Sequence, residues 1–128
     1  MDVGAFFDNE EITADLPFGG GPDPAIIKLR YVSSETMAAL VKKATKTTYN
    51  AKHQREEKTD NTEFKRLLGE AAVIGWSGIT AGGQDVEFSP AKRDQAMAGW
   101  TDFAKFVVDT CDDLQALVQA DREAVRGN

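Results

Sequence analysis

The stretch Val73-Ile74-Gly75-Trp76-Ser77-Gly78-Ile79-Thr80, continuing to Val86-Glu87-Phe88-Ser89-Pro90, restricts the fold of this chain more than any other. Apolar residues at helical spacing run into it and out of it, so it joins two helices. Glycines at 75, 78, 82 and 83 alternate with large apolar side chains. Trp76, Ile79, Val86 and Phe88 are too apolar for a solvated loop, so the connector is expected to pack on the core, with Trp76, Phe88 and Pro90 as its anchors. Gly75 suits the left-handed residue that closes a helix, and Ser89-Pro90 suits the cap and first position of the next. Gly82-Gly83 marks a tight turn, with Ile79-Thr80 and Val86-Glu87-Phe88 as short flanking strands.

Upstream, residues 1–11 carry Phe6 and Phe7 and then an acidic group, Asp8, Glu10 and Glu11. Ile12–Leu16 alternates as a strand does, and Pro17-Phe18-Gly19-Gly20-Gly21-Pro22-Asp23-Pro24 breaks the chain. Ile26–Val32 is the clearest strand, with Ile27, Leu29 and Tyr31 on one face and Lys28 and Arg30 on the other. The two strands are expected to pair as an antiparallel hairpin that leans on helices, because a lone hairpin is marginal in water. Ser33 caps a first helix over 34–46, with Val32 and Met37 as a hydrophobic staple and Met37, Leu40, Val41 and Ala44 as its stripe. From Thr45 to Thr59 periodicity fades, and the segment reads either as a solvated helix or as a mobile linker.

Asp60-Asn61-Thr62-Glu63 resembles a capping box opening a second helix over 61–74, striped by Phe64, Leu67, Leu68, Ala71 and Ile74. Gly69 within it costs about 1 kcal/mol relative to alanine, which points to a close helix contact there. Pro90 opens a short helix interrupted at Gly99. Thr101 or Asp102 starts the last and longest helix, which extends to Arg126 with Phe103, Val107, Thr110, Leu114, Leu117 and Val118 on one face. The expected fold is therefore mainly α with a minor β part. One domain spans 1–128, with a β-hairpin region over 1–32 and a helical region over 33–128.

Composition bears on partners. A formal net charge of −6 argues against nucleic-acid backbones and anionic membranes. No apolar run approaches the roughly 20 residues of a bilayer span, and Met1-Asp2-Val3-Gly4 lacks the basic flank of a signal peptide. A single cysteine, Cys111, leaves no internal disulfide and no cysteine-based zinc site. These readings describe a soluble intracellular protein. Nor does a catalytic constellation emerge. His53, the only histidine, has no second ligand or base partner near it in sequence. Asp109, Asp112 and Asp113 lack calcium-loop spacing, and Gly19-Gly20-Gly21 is followed by no Lys-Ser pair or helix. Ser77 lacks the Gly-x-Ser-x-Gly frame, and Cys111 reads as a packed core thiol. No enzyme activity, metal or cofactor is expected.

Three features together resemble the tail assembly chaperones of long-tailed bacteriophages and prophages. They are the strand running directly into a helix at Ile26–Glu35, the basic helix end Val41-Lys42-Lys43-Ala44-Thr45-Lys46, and the connector Val73–Thr80 followed by a short turn and Val86–Pro90 with Arg93-Asp94. In that family a Trp-Gly connector leads through a Gly- or Asp-rich turn to Phe-Thr/Ser-Pro-x-Asn; Lys92 stands here where asparagine is common. The resemblance covers about residues 26–108. It implies a non-structural protein made in the host cytoplasm and absent from the mature virion. Such a protein holds the helical tape measure protein until tail tube subunits polymerise around it, acting in several copies. The partners implied are the tape measure protein and the tail tube protein, with self-association as a homo-oligomer. An unassembled tape measure protein exposes apolar helix faces, which an adaptable apolar surface would shield. Met97, Trp100, Phe103, Phe106 and Val107 are the candidate partner-binding residues. Two other readings fit the same composition: a structural tail or head-tail component, and a small acidic inhibitor that mimics DNA.

Overall fold

The computed structural model describes residues 12–126, with side chains as far as residue 120. Phe6, Phe7 and the acidic group after them lie outside the described residues. Four helices and seven strands are present among the described residues: β1 (Thr13–Phe18), β2 (Ala25–Arg30), α1 (Ser34–Ala44), β3 (Thr45–Tyr49), β4 (Arg55–Thr59), α2 (Asn61–Ala72), β5 (Val73–Ser77), β6 (Thr80–Ala81), β7 (Gln84–Asp85), α3 (Pro90–Gly99) and α4 (Thr101–Arg126). The strands form three small sheets, ordered β1-β2-β5, β3-β4 and β6-β7. The expectation of a mainly α fold with a single N-terminal hairpin is therefore overturned, and the chain is of mixed α+β class.

Two segments account for the difference. Residues 45–59, expected as helix or linker, form a regular antiparallel hairpin running from Thr45↔Thr59 to Tyr49↔Arg55. Its β-branched threonines favour extended backbone. At its turn the Asn50 Oδ1 accepts from the backbone N–H groups of Lys52 and Gln54 at 2.9 and 3.0 Å. The second segment is Val73–Ser77. Helix α2 stops at Ala72, and the chain passes into β5, which pairs antiparallel with β2 from Ile26↔Ser77 to Leu29↔Val73 with an irregularity between Lys28 and Leu29. Gly75 has no left-handed φ and closes no helix; it sits in β5 opposite Lys28.

The capping signals operate at the expected residues. Ser33 Oγ accepts from Thr36 N–H at 3.1 Å, Asp60 Oδ1 from Thr62 and Glu63 N–H at 3.0 and 3.2 Å, and Ser89 Oγ from Lys92 N–H at 3.1 Å ahead of Pro90. The reciprocal half of the capping box at Asp60 does not form. The Asp60 N–H instead donates to the Ala44 carbonyl at 2.9 Å, and Glu63 turns to Arg66 at 2.6 Å. That contact with Arg66 holds the Glu63 carboxyl below its usual range.

The core lies between the inner face of the three-stranded sheet and the helices. Ile27, Leu29 and Val73 from the strands meet Leu68 and Ala72 of α2, Met97 of α3, and Phe103, Val107 and Cys111 of α4. Leu40 of α1 completes it, and Gln115 Nε2 ties α4 to the β2–α1 junction through the Val32 carbonyl at 3.1 Å. Gly69 has the close contact its position in the helix implied: a Cβ there would stand 2.6 Å from Met97 Cγ, so the α2–α3 approach requires glycine.

Candidate functional site

The connector places Trp76 at the meeting point of β5, the β6–β7 turn and α4. Ile27 pairs with Trp76 in the sheet, so the indole points to the core side, where Ile27 is fully buried. Its ring stands edge-on to Phe88 and Phe103, with centroids at 5.0 and 5.8 Å. Its Nε1–H donates to the Val86 carbonyl at 2.9 Å. Val86 N–H in turn donates to the Ile79 carbonyl at 2.7 Å, so the short β6–β7 hairpin is held from both sides. Gly82 and Gly83 both take positive φ, 59° and 80°, in its two-residue turn. The flanking strands are Thr80–Ala81 and Gln84–Asp85, both displaced toward the turn from the expected Ile79-Thr80 and Val86–Phe88, the second also one residue shorter.

The five candidate partner-binding residues divide sharply. Met97, Phe103 and Val107 are 1, 0 and 0 % exposed and are covered by the chain itself, so they hold the core and offer no surface to a partner. Trp100 is 40 % exposed, and Phe106 is half-buried at the edge of the core. Trp100 occupies the break between α3 and α4 with extended backbone at φ −104° and ψ 90°. Its N–H donates to the Ala96 carbonyl and its carbonyl accepts from Ala104 N–H, so one residue closes a helix and opens the next. The indole stacks on Phe103 at 5.5 Å, and Phe18 of β1 meets Trp100 edge-on at 5.2 Å and Phe106 at 5.0 Å. In the sequence Phe18 belongs to the break Pro17–Pro24; in the fold its inward position, alternating with Leu16, brings it into this cluster.

Beside Trp100 lies a crevice of about 320 Å³ between the β6–β7 hairpin and α3. Ile79, Val86 and the two indoles make it largely apolar, and Lys92 is the one charged side chain on its wall among the described residues. A second hollow, of about 470 Å³, separates α1 from the β3–β4 hairpin and is lined by Val41, Lys42, Thr47, Arg55 and Glu57.

The other titratable candidates are dispersed. His53 is exposed in the β3–β4 turn with φ 61°, and no group of three or more potential metal ligands occurs among the described residues. Asp109 pairs with Lys105 at 2.6 Å on the outer face of α4. Cys111 is fully buried, and burial, with the Asp112 carboxylate adding to it, pushes its thiol up to about 11. It is therefore protonated at neutral pH and a poor nucleophile. No helix among the described residues is long and apolar enough to cross a membrane. No family model matches the chain, and no curated protein and no solved structure matches it.

Proposed function

We propose that this chain is a tail assembly chaperone: it binds the tape measure protein through an apolar surface in the host cytoplasm and is left out of the finished virion. The observation that carries the reading is Trp100. A large aromatic side chain, 40 % exposed, is held on Phe18 and Phe103 beside an apolar crevice. Exposed aromatic surface of this kind suits recognition of an apolar helix face. The Trp76 connector, one of the features on which the family resemblance rests, lines the crevice with Trp76, Ile79 and Val86.

Co-expression tests the proposal. The tape measure protein of the same phage is expected to become soluble and to co-purify with this chain, and mature virions are expected to lack the chain. An insoluble tape measure protein, together with stoichiometric amounts of the chain in virions, would replace the chaperone reading with that of a structural tail component.

A further inference from the structure

We infer that the crevice between the β6–β7 hairpin and α3 seats one large apolar side chain of a helical partner, with a partner carboxylate one turn away meeting Lys92. Gly99 lines it. It is the last residue of α3, directly before the break at Trp100; its φ is not positive, and a Cβ there would meet nothing within 4 Å. Gly69, one helix earlier, shows the contrasting case, with Met97 against it. What the missing side chain at Gly99 leaves is open space on the crevice wall beside the exposed Trp100.

The chemistry of the walls selects the occupant. Ile79, Val86, Ala96 and the Trp100 ring supply apolar surface, and the indole N–H of Trp76 is already taken by the Val86 carbonyl. At about 320 Å³ the space lies at the low end of ligand pockets and suits a single leucine or aromatic side chain. Lys92 is exposed at the wall, whereas its neighbour Arg93 is paired with Asp94 at 3.1 Å. In a chain of net charge −6, a lone cation beside an apolar seat favours a carboxylate on the partner. On a helix that carboxylate falls three or four residues from the anchor.

This assignment rests on the proposed function, and the test separates the two. The protein is co-expressed with the tape measure protein, and Gly99→Leu, Lys92→Glu and the control Ala98→Leu are compared with wild type for complex retained. Gly99→Leu is expected to keep or raise the melting temperature while lowering affinity at least about tenfold, the loss of one buried apolar anchor. Lys92→Glu is expected to weaken the complex about fivefold at low salt and less at high salt. Ala98→Leu, exposed and off the crevice wall, is expected to bind as wild type. Wild-type retention of the tape measure protein in both Gly99→Leu and Lys92→Glu would overturn the crevice assignment and leave the chaperone reading standing. Failure of the wild-type chain to retain it would overturn both. Should Gly99→Leu not fold, Lys92→Glu and the smaller Gly99→Ala carry the same comparison.

Discussion

Helices α1 and α2 end in the same way and lead to opposite fates. Each passes into a strand with no intervening loop: Ala44 to Thr45 in one case, Ala72 to Val73 in the other. In each the cap residue is extended, and its N–H still reaches back into the helix, from Thr45 to the Lys42 carbonyl and from Val73 to the Gly69 carbonyl. At the first junction Thr45 Oγ1 donates to the Val41 carbonyl at 2.7 Å, and Asp60 N–H satisfies the Ala44 carbonyl. Orphan carbonyls are thus met without a left-handed glycine. Beyond the junction the composition decides. Val73-Ile74-Gly75-Trp76 carries enough apolar surface to be drawn onto β2 and the core. Thr45-Lys46-Thr47-Thr48-Tyr49 carries too little, and it stands out on its own hairpin with every residue after Thr45 exposed. A backbone device is therefore neutral about destination, and burial energy assigns it.

The sharpest test compares the aromatic residues of the two strands. Trp76→Ala is expected to cost about 3–5 kcal/mol, as for other large aromatics that pack on a core, because it loses Phe88, Phe103 and the bond to Val86 together. Tyr49→Ala, at a position 70 % exposed, is expected to change stability by no more than about 0.5 kcal/mol. Chemical denaturation of both variants measures the gap. Equal effects would break the comparison between a core strand and a solvated one.

A second prediction probes the core side through pH. The Cys111 thiol is raised from 9.0 to about 11, so the unfolded chain loses this proton first as pH rises. The stabilisation is complete below about pH 9 and declines between pH 9 and 11, a loss of about 2–3 kcal/mol across that window. Cys111→Ala is expected to flatten this alkaline limb while lowering stability at neutral pH through the cavity it leaves. Melting temperatures recorded from pH 7 to 11 for the two proteins decide it. An unchanged alkaline slope in the variant would assign the effect to other groups.

The smallest of the stability effects with a clear sign concerns the return from the exposed hairpin. Asp60 caps α2 through its carboxylate and closes the hairpin base through its N–H. Asp60→Ala removes only the carboxylate and is expected to cost about 1 kcal/mol. Asp60→Asn, which keeps an acceptor, is expected to recover most of it. Loss of the β3–β4 amide protection in Asp60→Ala, read by hydrogen exchange, would show that the hairpin depends on the cap as well.

The candidate site was legible only in part. Helical spacing put Phe103, Phe106 and Val107 together on the last helix, while Met97 lies on the helix before it and Trp100 at the break between them. The same spacing serves a buried stripe and a docking stripe, so only the packing of the β1-β2-β5 sheet separates the covered Met97, Phe103 and Val107 from the open Trp100. Phe18, which supports Trp100 from a distant strand, and the crevice beside Gly99 had no signal within any one segment.

What the sequence alone determined is local: caps at Ser33, Asp60 and Ser89, the Gly82-Gly83 turn, the β1–β2 hairpin and the reach of the last helix. Each depends on groups within a few residues of one another, so side-chain type and spacing are sufficient. The tertiary structure decided what depends on a distant partner. Val73–Ser77 continues the apolar pattern of α2 and becomes a strand because β2 offers it an unpaired edge and a core face. Thr45–Thr59 is charged enough to read as solvated, and it is solvated, but as a hairpin whose two strands satisfy each other's backbone groups. Backbone hydrogen bonds must be met somewhere, and where a strand meets them is set by which edge the fold brings within reach.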